Sequence, residues 1–216
     1  MKFRLVVLDI DGTITRHVSS WQYLHERLGQ WADEADEYQK MFLDGKISYR
    51  KFCRLDAAHW KGMEEGHLFA LFREVPYARN VEKALDILKH KGFMLAAVST
   101  GIQFIVERVR QELDFDYVLC NELKVCRGRL TGGVRINIGH LEKGKALEKM
   151  MRKFNIPDSE TIVVGDSAGD VPMMERAGYA ISFNANGPEV ERAADYRCRS
   201  DDFMEVCLKI LEISGL

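Results

Sequence analysis

Phe3-Arg4-Leu5-Val6-Val7-Leu8-Asp9-Ile10-Asp11-Gly12-Thr13 decides the fold. The run from Phe3 to Leu8 is apolar without polar alternation apart from Arg4, the pattern of a strand covered on both faces in a parallel sheet. Two aspartates follow at i and i+2. In extended backbone such residues project the same way, so both carboxylates face one space. Gly12 lets the chain turn sharply after them. At the carboxyl edge of an open α/β sheet, that space is where ligands bind. One carboxylate there can attack an electrophile while the other moves a proton, and the pair invites a divalent cation. Taken alone, the stretch is equally an ordinary Asp-Gly turn.

Working outward, the same signature recurs at Phe93–Val98, Tyr117–Cys120, Thr161–Val164 and Tyr179–Phe183. Helical periodicity separates most of these runs, at Val81–Lys91, Ile102–Leu113 and Leu141–Phe154. Alternating strands and helices predict an α/β fold: a Rossmann-like, mostly parallel sheet with helices on both faces. Residues 16–75 break the rhythm with four amphipathic patterns, at Trp21–Leu28, Ala35–Phe42, Tyr49–Trp60 and Glu64–Phe72, divided by Gly29, Asp44-Gly45 and Gly62. They predict a small helical cap inserted after the first strand. The expected division is thus a core of residues 1–15 and 76–216 and a cap of residues 16–75, with hinges near Thr15–Val18 and Val75–Arg79. Residues 117–138, punctuated by Arg127-Gly128 and Gly132-Gly133, read as a hairpin or small meander.

Composition narrows the function. The 216 residues are 46% hydrophobic and 30% charged with a net charge of −2, which argues against a nucleic-acid partner. No apolar run approaches the roughly 20 residues that span a bilayer, and the opening lacks a leader's cleavage region. The expectation is a cytoplasmic protein without membrane partners, either monomer or homodimer. Five scattered cysteines (Cys53, Cys120, Cys126, Cys198, Cys207) and six histidines form no ligand pattern, so disulfides and a zinc site are not expected.

Three more groups carry chemistry. Ser99-Thr100-Gly101 lies between a strand and the helix from Ile102, where hydroxyls and free N–H groups suit a phosphate; the ordinary alternative is an N-cap. Gly165-Asp166-Ser167-Ala168-Gly169-Asp170 again sets two aspartates beyond a strand. Asp166 suits a metal and Asp170 suits a supporting role behind it; the alternative is a capping aspartate. Lys143 and Lys145 begin a helix, where a cation can neutralise phosphoryl charge, although such lysines are usually solvated. Asp-x-Asp, Ser/Thr-Gly, Lys and Gly-Asp-x-x-x-Asp occur in that order.

This order resembles the haloacid dehalogenase superfamily. Within it the chain is similar over nearly its whole length to the phosphoserine phosphatase group, which has its cap between the first two motifs and a Leu-Thr-Gly turn like that ending 117–133. The resemblance implies a Mg²⁺-dependent phosphomonoester hydrolase acting on a small phosphorylated metabolite. Asp9 attacks phosphorus and becomes an aspartyl-phosphate; Asp11 donates and then accepts the proton. Mg²⁺ is held by Asp9, Asp166 and the Asp11 carbonyl. Ser99, Thr100, Gly101 and Lys143 hold the phosphoryl group, with Asp170 in support. The group's lysine precedes a glycine, which selects Lys143 over Lys145.

The chain also departs from the group. Its cap glutamate, which meets a substrate ammonium, falls on Val18, and its cap arginine, which meets a carboxylate, falls on Asp56. Glu26, Arg50 and Arg54 are the nearest substitutes. Gly169 replaces the asparagine before the last aspartate. Asp56 in such a position would repel a carboxylate, which makes the substrate's identity open. A phosphotransferase or phosphomutase of the same superfamily shares every motif. Gly139–Ala146 falls one residue short of a nucleotide-binding P-loop, lacking the hydroxyl at Ala146. A non-catalytic phosphoryl-binding module would be expected to lose Asp9 or Lys143, and both are present.

Overall fold

The computed structural model describes residues 2–17 and 19–216. A seven-stranded sheet runs in the order β4-β3-β2-β1-β5-β6-β7. The strands are β1 (Leu5–Leu8), β2 (Met94–Ile102), β3 (Tyr117–Cys126), β4 (Arg129–Arg135), β5 (Thr161–Gly165), β6 (Tyr179–Phe183) and β7 (Tyr196–Cys198). All pair in parallel except β4, which returns antiparallel on β3. The fold is therefore the expected α/β type, with the hairpin at one edge. β7 carries no signal in the sequence: it is three residues long with a charged Arg197 in the middle.

Helices α1 (Ser20–Arg27), α2 (Asp36–Leu43), α3 (Tyr49–His59) and α4 (Glu65–Arg73) all fall between β1 and β2, with a π-helical turn at Trp31–Ala35 before α2. The remaining helices are α5 (Val81–His90), α6 (Gln103–Glu112), α7 (Lys143–Phe154), α8 (Val171–Met174), α9 (Pro188–Ala193) and α10 (Met204–Ser214).

Alternation along β1 sorts the core into two layers. Leu5 and Val7 pack with Ala96, Val98 and Val163 against Leu147 and Met150 of α7 and Met173 of α8. Val6 and Leu8 face the other way, with Leu95, Ala97 and Ile162, toward Leu85 of α5, Ile105 of α6 and Val206 of α10. β1 has no exposed face, which is why its sequence is an unbroken apolar run. Each large apolar side chain buried this way contributes about 1.5–3 kcal/mol.

Helices α1–α4, the segment expected to form the cap, pack around Trp21, Leu24, Phe52, Trp60, Leu68 and Phe72, within the same apolar cluster as Val6 and Leu8 of the sheet. The segment's two connections to the sheet pair with each other: Thr15 bridges Tyr77, Ala78 N–H donates to the Ile14 carbonyl at 2.8 Å, and Arg16 N–H donates to the Pro76 carbonyl at 2.9 Å. A third attachment lies at the far end. The loop between α3 and α4 meets the start of β4 and the turn before it, where Gly62 N–H donates to Leu130 C=O (2.8 Å), Leu130 N–H to Met63 C=O (2.9 Å) and Glu65 N–H to Gly128 C=O (2.9 Å).

Candidate active site

β1 delivers Asp9 at its carboxyl end, where Asp9 N–H continues the ladder by donating to Val164 C=O at 2.9 Å. Gly12 turns the chain with φ +87°, and a side chain there would place its Cβ 2.4 Å from Asp166 Oδ2. The close approach of the first and last motifs therefore requires glycine. Thr13 Oγ1 donates to Asp166 Oδ1 at 2.9 Å. The first turn of α7 brings Lys143 inward, so that Nζ lies 2.6 Å from Asp9 Oδ1 and 2.5 Å from Asp170 Oδ1. Lys143 is only 2% exposed, unlike Lys145, which pairs with Glu142 at the surface. The structure thus places together Asp9, Asp166, Asp170 and Lys143. Oxygens of the three carboxylates lie within 4.8 Å of one another.

Residues 6–175 match the haloacid dehalogenase-like hydrolase family. The chain belongs to that family.

It is similar to the phosphoserine phosphatase of Idiomarina loihiensis, with 30% identity across 97% of this chain and 95% of the relative. To that of Methanocaldococcus jannaschii it is 27% identical, across 95% and 96%. A solved structure of a phospho-aspartyl intermediate analogue of phosphoserine phosphatase superposes with a TM-score of 0.83 at 27% identity, covering 97% of this chain and 99% of that one. Such relatives are phosphatases, and this chain is a phosphoserine phosphatase-like hydrolase of the family.

In this hydrolase the electrostatics follow from burial. Asp9 is held well above the usual carboxylate range, first by burial and then by Asp170, with the Lys143 ammonium opposing. Burial and the charge of Asp170 push Asp166 up to about 7, against Lys143 and the Thr13 hydroxyl. Burial also raises Asp11, and the N–H and hydroxyl of Ser20 offset part of that rise. Burial disfavours the ammonium of Lys143, but Asp170 and Asp9 outweigh it and hold Lys143 above its ordinary value. One ammonium cannot neutralise three carboxylates, so the cluster fits an additional hard divalent cation with oxygen ligands. Asp170 already gives Oδ1 to Lys143 and Oδ2 to the Asp166 and Ser167 N–H groups and the Ser167 hydroxyl. Asp9 and Asp166 are the carboxylates left to hold such an ion.

The second motif differs from expectation. β2 continues through Ser99-Thr100-Gly101 to Ile102, with a register irregularity against β3, and α6 starts only at Gln103. Two N–H groups there are already engaged: Gly101 N–H donates to Ser99 Oγ (2.8 Å) and Ile102 N–H to Ser20 Oγ (3.2 Å). Thr100 contributes a carbonyl that accepts from Trp21 Nε1 (3.1 Å), Tyr49 Oη (2.9 Å) and Asn121 Nδ2 (2.9 Å). Sequence reasoning missed Asn121, a fully buried side chain in β3 that also accepts from Asn137 N–H and Ile138 N–H. Ser20 was missed as well: nothing in the sequence around it signals a bond to Asp11.

The structure corrects the cap reading of Asp56. Asp56 is 2% exposed and turned in among α1–α4, with its Oδ1 3.3 Å from Nε2 of the fully buried His25. It presents no charge to a substrate. Val18 lies outside the described residues. Glu26 pairs at the surface with His17 and Gln22, and Arg50 and Arg54 are exposed. Among the described residues, the cap's hydrogen bonds to the first two motifs come from uncharged groups: Ser20, Trp21 and Tyr49.

Proposed function

We propose that this protein is a Mg²⁺-dependent phosphomonoester hydrolase that works through an aspartyl-phosphate on Asp9 and takes a small phosphorylated metabolite as substrate. The observation that carries the reading is the Lys143 ammonium, buried between Asp9 and Asp170 beside Asp166. A nucleophile of this kind needs its charge neutralised before it meets a phosphoryl dianion, and Lys143 does so at the attacking oxygen. Asp9 attacks phosphorus as the ester oxygen leaves with a proton from Asp11. Asp11 then takes a proton from a water molecule whose oxygen attacks phosphorus, so that the acyl-phosphate P–O bond breaks, phosphate leaves and the Asp9 carboxylate is restored. This divides one difficult displacement into two easier ones.

Asp9 and Asp166, with the Asp11 carbonyl, would hold Mg²⁺, whose bound charge offsets repulsion between the carboxylates and the phosphoryl oxygens. Ser99, Thr100 and Gly101 border the same space. Asp170 orients Lys143 and the Asp166–Ser167 turn. The core of residues 1–15 and 76–216 and the cap of residues 16–75 act as two bodies, and the cap opens to admit substrate. Phosphoserine is the first compound to test, because the relatives named above carry that name. The uncharged cap groups facing the site favour an ester less dependent on paired charges.

The test is phosphate release in Mg²⁺ from phosphoserine, sugar phosphates, nucleoside monophosphates, phosphocholine-type esters and an aryl phosphate, beside Asp9→Asn, with and without an added acceptor alcohol. Release that depends on Asp9 supports the reading and ranks the substrates. Identical traces from both proteins would overturn it.

A further inference from the structure

Ser20 is the first residue of α1 and 2% exposed. Its hydroxyl lies 2.7 Å from Asp11 Oδ2 and its backbone N–H lies 3.0 Å from the same oxygen. The hydroxyl also accepts the Ile102 N–H at 3.2 Å. That N–H can only donate, so the single proton of the Ser20 hydroxyl is free to point at Asp11. The arrangement needs a glycine beside it: a Cβ at Gly101 would lie 2.3 Å from Ser20 Oγ and 2.4 Å from Asp11 Oδ2.

We infer that Ser20 is a positioning residue for Asp11, delivered by the cap. Two donors occupy Oδ2, and among the described residues no donor bonds Oδ1. When Asp11 carries a proton, that proton therefore sits on Oδ1, the oxygen left to face the departing ester oxygen. The carboxylate cannot rotate without losing both bonds from Ser20. Because Ser20 belongs to α1 while Asp11 and Ile102 belong to the core, this orientation exists only with the cap closed. Proton transfer thus becomes competent at the moment the substrate is enclosed.

The inference rests on the phosphatase reading and on Asp11 as its proton donor. It predicts a bias between leaving groups. An alkyl alcohol needs a proton as its P–O bond breaks, whereas a phenolate with an electron-withdrawing ring substituent leaves without one.

The experiment compares kcat/KM for an alkyl phosphate and p-nitrophenyl phosphate in wild type, Ser20→Thr and Ser20→Val. The last two side chains are nearly the same size and differ in one hydroxyl, so a loss caused by bulk or misfolding appears in both. Thr is expected to retain the wild-type ratio of alkyl to aryl activity. Val is expected to lose about 100-fold on the alkyl ester, within the range of general acid catalysis, and less than about threefold on the aryl ester. Asp11→Asn should show the same bias more strongly. Equal losses on both esters, or no difference between Thr and Val, would overturn the role of Ser20. If wild type hydrolyses neither ester, the phosphatase reading itself fails, an outcome separate from an active wild type with an unbiased Val variant.

Discussion

Replacing Asp166 by asparagine should make the metal-free protein more stable. Asp166 is 2% exposed and shares a cluster with Asp9 and Asp170. Burial and the neighbouring Asp170 lift it from the ordinary 3.8 to about 7. A carboxyl held above its unfolded value favours the fold while it is protonated. That contribution is complete below about pH 4 and is lost as pH rises through about 7. At about 1.4 kcal/mol per pH unit, the interval corresponds to about 4 kcal/mol. Asparagine removes the charge and keeps an oxygen for the Thr13 hydroxyl.

In chelator at pH 8, calorimetry should therefore show Asp166→Asn more stable by up to about 4 kcal/mol. For a chain of this length that is a rise in Tm of roughly 8–16 °C. The advantage should shrink as pH falls and disappear below about pH 4. Millimolar Mg²⁺ should raise the Tm of wild type far more than that of the variant. A variant no more stable than wild type at pH 8 in chelator would refute the view that the carboxylates repel one another in a dry site.

Asp9→Asn should abolish phosphate release while leaving the far-ultraviolet circular dichroism unchanged; retained turnover would remove Asp9 as nucleophile. Gly101→Ala pushes a methyl onto Ser20 and Asp11, so it should cost about 1–3 kcal/mol and speed amide exchange in α1; unchanged exchange there would count against the contact. Trp60 is fully buried and stacks on Trp21 at 5.8 Å, so Trp60→Ala should lose about 3–5 kcal/mol in denaturant. A loss under about 1 kcal/mol would mean the cap core collapses around the gap.

What the sequence discloses depends on how local the cause is. β1, β5 and β6 were legible because burial on both faces leaves mostly apolar runs without polar alternation. Lys143 was separable from Lys145 only through resemblance, since nothing local says which of two lysines turns inward. Thr100 was read as a hydroxyl when its carbonyl makes the contacts, a backbone role that side-chain identity does not encode. Asp56 is the instructive miss. Counting along a related helix placed it toward a substrate, yet Tyr49, Phe52, Cys53, Asp56 and Ala57 follow helical spacing and share the inner face of α3. That periodicity points Asp56 into the cap, and only its charge argued otherwise. Its partner His25 lies on another helix, a pairing no local pattern reveals.

The loop bonded to β4 has a consequence for the protein's solution behaviour. An open sheet ends in two strands whose outer N–H and C=O groups can recruit a strand from another molecule. Here one end is β7, three residues long. The other is the seven-residue β4, and the segment Gly62–Glu65 pairs with its first two residues, Arg129 and Leu130. The segment between α3 and α4 therefore shields that part of the sheet edge against edge-to-edge association. Truncating the Gly62–Glu65 segment should expose that part of β4 and invite association between molecules.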